Sequence, residues 1–171
     1  MSAARVRAAV AGVPDPEIRV VTIEDLGILR EVTVDTEGRA VVTITPTYVG
    51  CPAMDAIRTG IRSAARDAGA VDVRVDTVWA PAWTTAWISE DARAKLYAAG
   101  IAPPGAGAAP PGAAPAGARL LPLAAAPSPA PHCPRCGSAE TARLARFGST
   151  ACKALWRCEG CGEPFDHFKE H

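Results

Sequence analysis

Residues 40–69 read AVVTITPTYVGCPAMDAIRTGIRSAARDAG, and the apolar period changes partway along them. Ala40 to Thr45 is a β-branched run that reads as a strand. From Pro52 the period is helical, with Met54, Ile57, Ile61, Ala65 and Ala68 on one face and Asp55, Arg58, Arg62 and Arg66 on the other. Gly69 stops that helix. Upstream, Ile28 to Val34 is a second strand, joined to the first through Asp35-Thr36-Glu37-Gly38, a hairpin signal, and Ser2 to Ala11 is a short helix ended by Gly12 and Pro14. Downstream, Val71, Val73, Val75 and Thr77 alternate with Asp72, Arg74 and Asp76, which predicts a strand with one buried face, and a last helix runs from about Ser89 to Ala99. The order is αββαβα, an α+β unit of about 100 residues, long enough to bury its own core.

That unit ends where composition shifts. Residues 102–131 hold 12 Ala, 9 Pro and 4 Gly, with Arg119 as the one charge. Such a segment reads as a flexible, Pro-stiffened linker between residues 1–101 and residues 132–171. The chain has 171 residues with 18 basic and 18 acidic side chains. Zero net charge gives no electrostatic reason to expect nucleic-acid or membrane binding. The apolar stretch Ala8 to Val13 is too short for an export signal and runs into Asp15-Pro16-Glu17, and no window approaches a membrane span, so a cytoplasmic protein is expected.

Five of the six cysteines lie in the last 40 residues. Cys133-Pro134-Arg135-Cys136 and Cys158-Glu159-Gly160-Cys161 are Cys-x-x-Cys units separated by 21 residues. Each turn points two thiolates at one ion, and two such turns close a tetrahedral four-cysteine site with no open position. This predicts a β-rich zinc ribbon over 132–171, in which structural zinc supplies on the order of 10 kcal/mol that so small a core lacks. Cys152 reads as a small buried residue beside Ala154, Leu155 and Trp156, and His132, His167 and His171 read as surface histidines rather than ligands. Arg143, Arg146, Lys153 and Arg157 near Phe147 and Trp156 read as a solvated sheet face more readily than as a nucleic-acid stripe.

Cys51 stands apart. With Pro52 at the first helical position it would occupy the helix N-cap, where the dipole favours a thiolate. An inert thiol is the competing reading, and the absence of His from residues 1–131 removes a Cys-His nucleophile. Asp15-Pro16-Glu17 reads as a turn and helix cap. Trp79, Trp83 and Trp87 read either as a loop packed over the core or as an aromatic docking patch for a partner, Pro81 opposing a continuous helix.

Asp15-Pro16-Glu17 together with Thr47 to Pro52, a Thr-x-x-x-Cys-Pro segment, resembles the MIP18 (DUF59) family. Asp15-Pro16-Glu17-Ile18, Thr45-Pro46-Thr47-Tyr48, Pro81-Ala82-Trp83-Thr84-Thr85, the stretch Phe147 to Leu155 and Glu163-Pro164-Phe165-Asp166 are, in this order, similar to the PaaD family of the phenylacetyl-CoA epoxidase system. The sequence departs from that pattern at Arg19, Val49, Ala86 and His167. The resemblance implies a non-catalytic accessory subunit in phenylacetate degradation that assists iron-sulfur or iron centre assembly or repair. It also implies that Cys51 holds a transient cluster or iron, supported by Thr47, Asp15 and Glu17. Its implied partners are the other subunits of the oxygenase and reductase. A single thiolate cannot hold a cluster alone, so a homodimer or a client-shared site is expected. The alternative is a permanent structural subunit that organises the oxygenase complex without metal transfer.

Overall fold

The structure, a computed structural model, describes residues 2–105 and 129–170. Most of the Ala/Pro/Gly segment read as a linker, 106–128, lies outside the described residues, as does His171. The fold is α+β. The chain divides into two compact units, one spanning Met1–Ala99 and the other Gly100–Glu170.

The first unit runs α1 (Ala3–Ala11), β1 (Leu29–Val34), β2 (Arg39–Ile44), α2 (Met54–Asp67), β3 (Asp72–Thr77), a short 3-10 turn at Thr85–Trp87 and α3 (Glu90–Ala98). Its sheet has the order β1-β2-β3. β1 and β2 are antiparallel, Val32 opposite Val42; β2 and β3 are parallel, Val42 opposite Val75, and α2 is the crossover that a parallel pair requires. Ala40, Val42 and Ile44 of β2 all point inward, following the two-residue period. Met54, Ile57, Ile61 and Ala65 of α2, the face the helical period selects, are buried too, and α2 packs against α1 and β3. Val6 and Val10 of α1, which packs against α2 and β1, and Leu96 of α3 are buried as well. Each fully buried aliphatic side chain contributes about 1.5–3 kcal/mol. In the third strand Val73 is buried, but Val71 is 76% exposed, because the chain leaves the Gly69 turn there and β3 begins one residue later.

The second unit holds a four-stranded sheet of order β4-β7-β6-β5, with β4 (Ile101–Ala102), β5 (Thr141–Ala145), β6 (Lys153–Cys158) and β7 (Pro164–Phe168). β5, β6 and β7 are antiparallel, and β4 pairs parallel to β7, Ile101 opposite Asp166. Thus Ile101 and Ala102, which the sequence divides between the first segment and the linker, form the edge of the ribbon sheet. Ala102 packs with Phe165 and the buried sulfurs of Cys133 and Cys158, and Trp156 lies against them. Lys153, buried in β6, is neutralised by Asp166 at 3.1 Å. Among the described residues no helix is long and apolar enough to cross a membrane.

Candidate functional sites

The four ribbon cysteines converge. Their sulfurs all lie within 4.8 Å of one another. Cys133 Sγ is 3.9 Å from Cys161 Sγ, and Cys136 Sγ is 3.5 Å from Cys158 Sγ. A tetrahedron with metal–sulfur bonds of about 2.3 Å has sulfur–sulfur edges of about 3.8 Å, close to the two shorter separations, so small shifts close the set around one four-coordinate ion. The two turns that present them are built alike. The Gly137 amide donates to the Cys133 carbonyl and the Arg135 amide to Cys133 Sγ. In the second turn the Gly162 amide donates to the Cys158 carbonyl and the Cys161 amide to Cys158 Sγ. Both glycines have positive φ, 75° and 78°. The common signal is therefore Cys-x-x-Cys-Gly, a glycine requirement that the cysteine spacing alone does not reveal.

Without a counter-ion four thiolates repel, and the protons distribute unevenly. Cys158 is brought down to about 7, chiefly by the Cys161 amide. Cys136 is pushed up to about 12: the Ser138 amide works against the shift, and the neighbouring Cys158, Cys161 and Cys133 sulfurs overcome it. Cys152 lies outside the cluster, buried just before β6, with Thr150 Oγ1 3.0 Å from its sulfur. His132 is exposed, with its Nδ1 3.2 Å from the Gly137 carbonyl oxygen. His167 is not the surface histidine expected. It sits half-buried in β7, edge-on to Trp156 with ring centroids 6.0 Å apart, and burial brings its pKa down to about 4 against the opposing pull of Glu170.

In the first unit the loop from Thr45 to Ala53 carries Cys51, which is partly exposed. The helix does not begin at Pro52. α2 starts at Met54 with Ala53 at its N-cap, and the Met54 amide reaches back 3.4 Å to the Cys51 carbonyl. Cys51 thus precedes the helix by a turn and does not gain the expected activation. Its pKa is raised, first by burial; the Ala53 amide and Tyr48 oppose this, while the charges of Glu17 and Asp15 raise it further. The thiol is the resting form at neutral pH. Asp15 is buried, and its Oδ1 accepts from the amides of Glu17 at 2.9 Å and Ile18 at 2.8 Å, holding a turn that leads into no helix. Thr45 and Thr47 are buried on the approach to Cys51, and Thr45 Oγ1 has no hydrogen-bond partner among the described residues.

Two clefts flank this loop. One, of about 260 Å³, is lined by Cys51, Pro52, Asp55 and Arg58. The other, of about 350 Å³ and mostly apolar, is lined by Thr45, Thr47, Tyr48, Val49 and Trp83. Trp79 borders both. The three tryptophans do not form one patch. Trp79 is 55% exposed and Val49 83%. Trp83 is buried with its indole N–H donating to the Leu26 carbonyl at 2.8 Å, so it is a core residue. Trp87 lies under the Arg30 guanidinium, 3.9 Å from the ring centroid. Of the three, only Trp79 offers a broad free surface.

Comparison with known proteins places these two sites in context. Residues 3–77 match the family described as iron-sulfur cluster assembly protein, and residues 123–169 match the PaaD zinc beta ribbon domain. The chain is 46% identical over 157 residues to a protein of Escherichia coli K12 named as the D component of a 1,2-phenylacetyl-CoA epoxidase, covering 92% of this chain and 86% of that one. It is 36% identical over 85 residues to the Fe-S protein maturation auxiliary factor YitW of Bacillus subtilis, covering 49% of this chain and 82% of that one. A crystal structure of a DUF59 domain from Bacillus anthracis superposes with a TM-score of 0.51 at 31% identity, over 55% of this chain and 90% of that one. An iron-sulfur-assembly fold carrying one cysteine loop is thus followed by a four-cysteine ribbon, the likeness to the Escherichia coli protein runs through most of both chains, and the chain belongs to the PaaD family of phenylacetyl-CoA epoxidase components.

Proposed function

We propose that this protein is an accessory factor that assists assembly or repair of an iron-sulfur or iron centre in a multi-subunit phenylacetyl-CoA oxygenase and reductase system. The observation that carries this reading is the state of Cys51: a partly exposed thiol between two clefts, kept protonated by burial and by the carboxylates of Glu17 and Asp15. A thiol in that state takes a metal only as its proton leaves to solvent, and gives the metal up when the proton returns. That suits a transient ligand better than a resident one. One thiolate is too few for a cluster, so the remaining ligands come from a second copy or from the client, with Trp79 and Val49 as the apolar contact beside the loop. Thr47 lines the apolar cleft on the other side of the loop, and Asp15 and Glu17 raise the proton affinity of the thiol.

The four-cysteine set of the ribbon holds structural zinc in this reading. Its coordination is complete, its two turns already carry N–H to sulfur hydrogen bonds, and it buries Cys133 and Cys158 in the small ribbon core. Zinc there supplies folding energy and no chemistry.

Anaerobic iron-sulfur reconstitution of the wild type and Cys51→Ala tests the proposal, with iron, sulfide and zinc counted and absorption spectra recorded. The wild type should take up iron and sulfide beyond its zinc, and the variant should retain zinc and lose the rest. Equal uptake by both, or intact client cluster content in cells carrying only the variant, refutes the carrier role. Co-elution with the oxygenase at fixed stoichiometry would support the permanent structural role instead.

A further inference from the structure

The ribbon unit has a concavity that neither the cysteine cluster nor Cys51 uses. It is a cleft of about 520 Å³ whose lining includes Arg143, Arg146, Trp156, His167, Lys169 and Glu170. The sheet register assembles it. Arg143 of β5 lies opposite Trp156 of β6, and His167 of β7 lies opposite Ala154, two residues from Trp156 and on the same face. The Trp156 and His167 rings meet at 84°, forming an aromatic corner. The cations stand around it. The side chains of Arg143 and Arg146 make no ion pair or hydrogen bond among the described residues, whereas those of Arg135 and Lys153 of the same unit are paired with Glu163 and Asp166. Lys169 holds its ammonium 4.3 Å from the Phe147 ring centroid; burial lowers its pKa and Arg146 adds to that, with Cys152 opposing. The buried indole N–H of Trp156 has no acceptor among the described residues.

Three cations face one carboxylate beside an aromatic corner. A simple anion would leave the rings uncovered, and a neutral ring would leave the cations uncompensated. The other basic residues do not extend the cleft into a track for a strand of nucleic acid. Arg157 alternates to the opposite face of β6, and Lys153 is buried on Asp166. The volume lies within the range of small-ligand clefts, roughly 300–1,000 Å³. We propose that this cleft binds a nucleotide-type ligand, its base against Trp156 and His167 and two or more phosphate charges on Arg143, Arg146 and Lys169. Guanidinium forks suit phosphate oxygens, and the uncharged imidazole and the indole suit a stacked or edge-on base. A free nucleoside diphosphate and the adenosine diphosphate end of coenzyme A share this chemistry. The proposal does not depend on the role of Cys51.

Isothermal titration of the zinc-loaded full chain with ADP, coenzyme A, pyrophosphate and adenosine tests it. ADP or coenzyme A should bind at least tenfold more tightly than either pyrophosphate or adenosine. A preference of tenfold or more for coenzyme A over ADP assigns the site to that source, and equal affinity or a preference for ADP assigns it to free nucleotides. Combining Arg143→Ala with Arg146→Ala should weaken binding at least tenfold. Arg157→Ala, on the opposite face, should change it less than twofold, and zinc content and circular dichroism show that each variant is folded. Pyrophosphate binding as tightly as ADP, an unaffected double variant, or saturable binding of a single-stranded oligonucleotide only would each overturn the proposal, as would no saturable binding of any probe.

Discussion

Acidification should destabilise the ribbon unit through His167 before it reaches the carboxylates. The ring is half-buried in β7 against Trp156, and its pKa falls from 6.5 in an open chain to about 4. Burial is the larger cause, and Glu170 partly offsets it. Between these values the unfolded chain binds a proton that the folded one does not, so stability rises with pH across that window. The contribution is fully present above about pH 6.5 and is lost as pH falls toward 4. At about 1.4 kcal/mol for each pH unit, the window amounts to about 3 kcal/mol at most. The cysteines also take up protons on acidification, so the informative quantity is the difference between the wild type and His167→Gln, a neutral side chain at every pH. Urea unfolding of the zinc-loaded protein at intervals from pH 7.5 to 4.5 should show a steeper loss in the wild type. The imidazole carbon-bound protons of His167 should titrate near 4 by NMR. A midpoint near 6.5, or parallel stability curves for the two proteins, would refute the reasoning.

Three further outcomes are expected. Metal analysis should find one zinc per chain, and chelation or Cys158→Ser should unfold the ribbon sheet with a loss on the order of 10 kcal/mol while amide signals from β1, β2 and β3 persist. At pH 8, in a zinc-loaded Cys152→Ala background, Cys51 should react with iodoacetamide more slowly than free cysteine, and Glu17→Gln should speed it by removing a charge that raises the thiol pKa. Gly27→Ala should lower the urea midpoint by the equivalent of about 2–4 kcal/mol, because Gly27 has φ +69° and a Cβ there would come 2.5 Å from Trp87 Cβ.

What the sequence discloses well is what one local period determines. The inward row Met54, Ile57, Ile61, Ala65 and Ala68 is buried as the helical spacing requires, and β1 and β2 pair across the Asp35 to Gly38 turn. The cysteine spacing brings four sulfurs together because each pair is closed by its own short turn. Features that depend on distant partners are not legible in this way. Ile101 and Ala102 become a strand only because Asp166 and His167 lie beside them, and two residues at the margin of an Ala/Pro-rich stretch carry no periodic signal. The equal spacing of Trp79, Trp83 and Trp87 likewise hides three environments, since the Leu26 carbonyl captures one ring and the Arg30 guanidinium covers another.

At Cys51 the position of one helix boundary decides the chemistry of the thiol. A proline at the first helical position and one just before the cap look the same in sequence, but they differ in where the unpaired amides point. With the helix beginning at Met54, the nearest amide to act on the thiol is that of Ala53, and burial and two carboxylates outweigh it. The resting group is then a neutral thiol, which is a poor nucleophile and a ligand of pH-dependent affinity. A protonated thiol gives covalent catalysis less support than a helix-activated thiolate would, and it is compatible with the proton-coupled metal exchange proposed above. The ribbon set differs in character. There, four thiols lie close enough that protonation and metal binding are alternatives for the cluster as a whole, so the metal, once bound, is held by a complete shell rather than by one exchangeable sulfur.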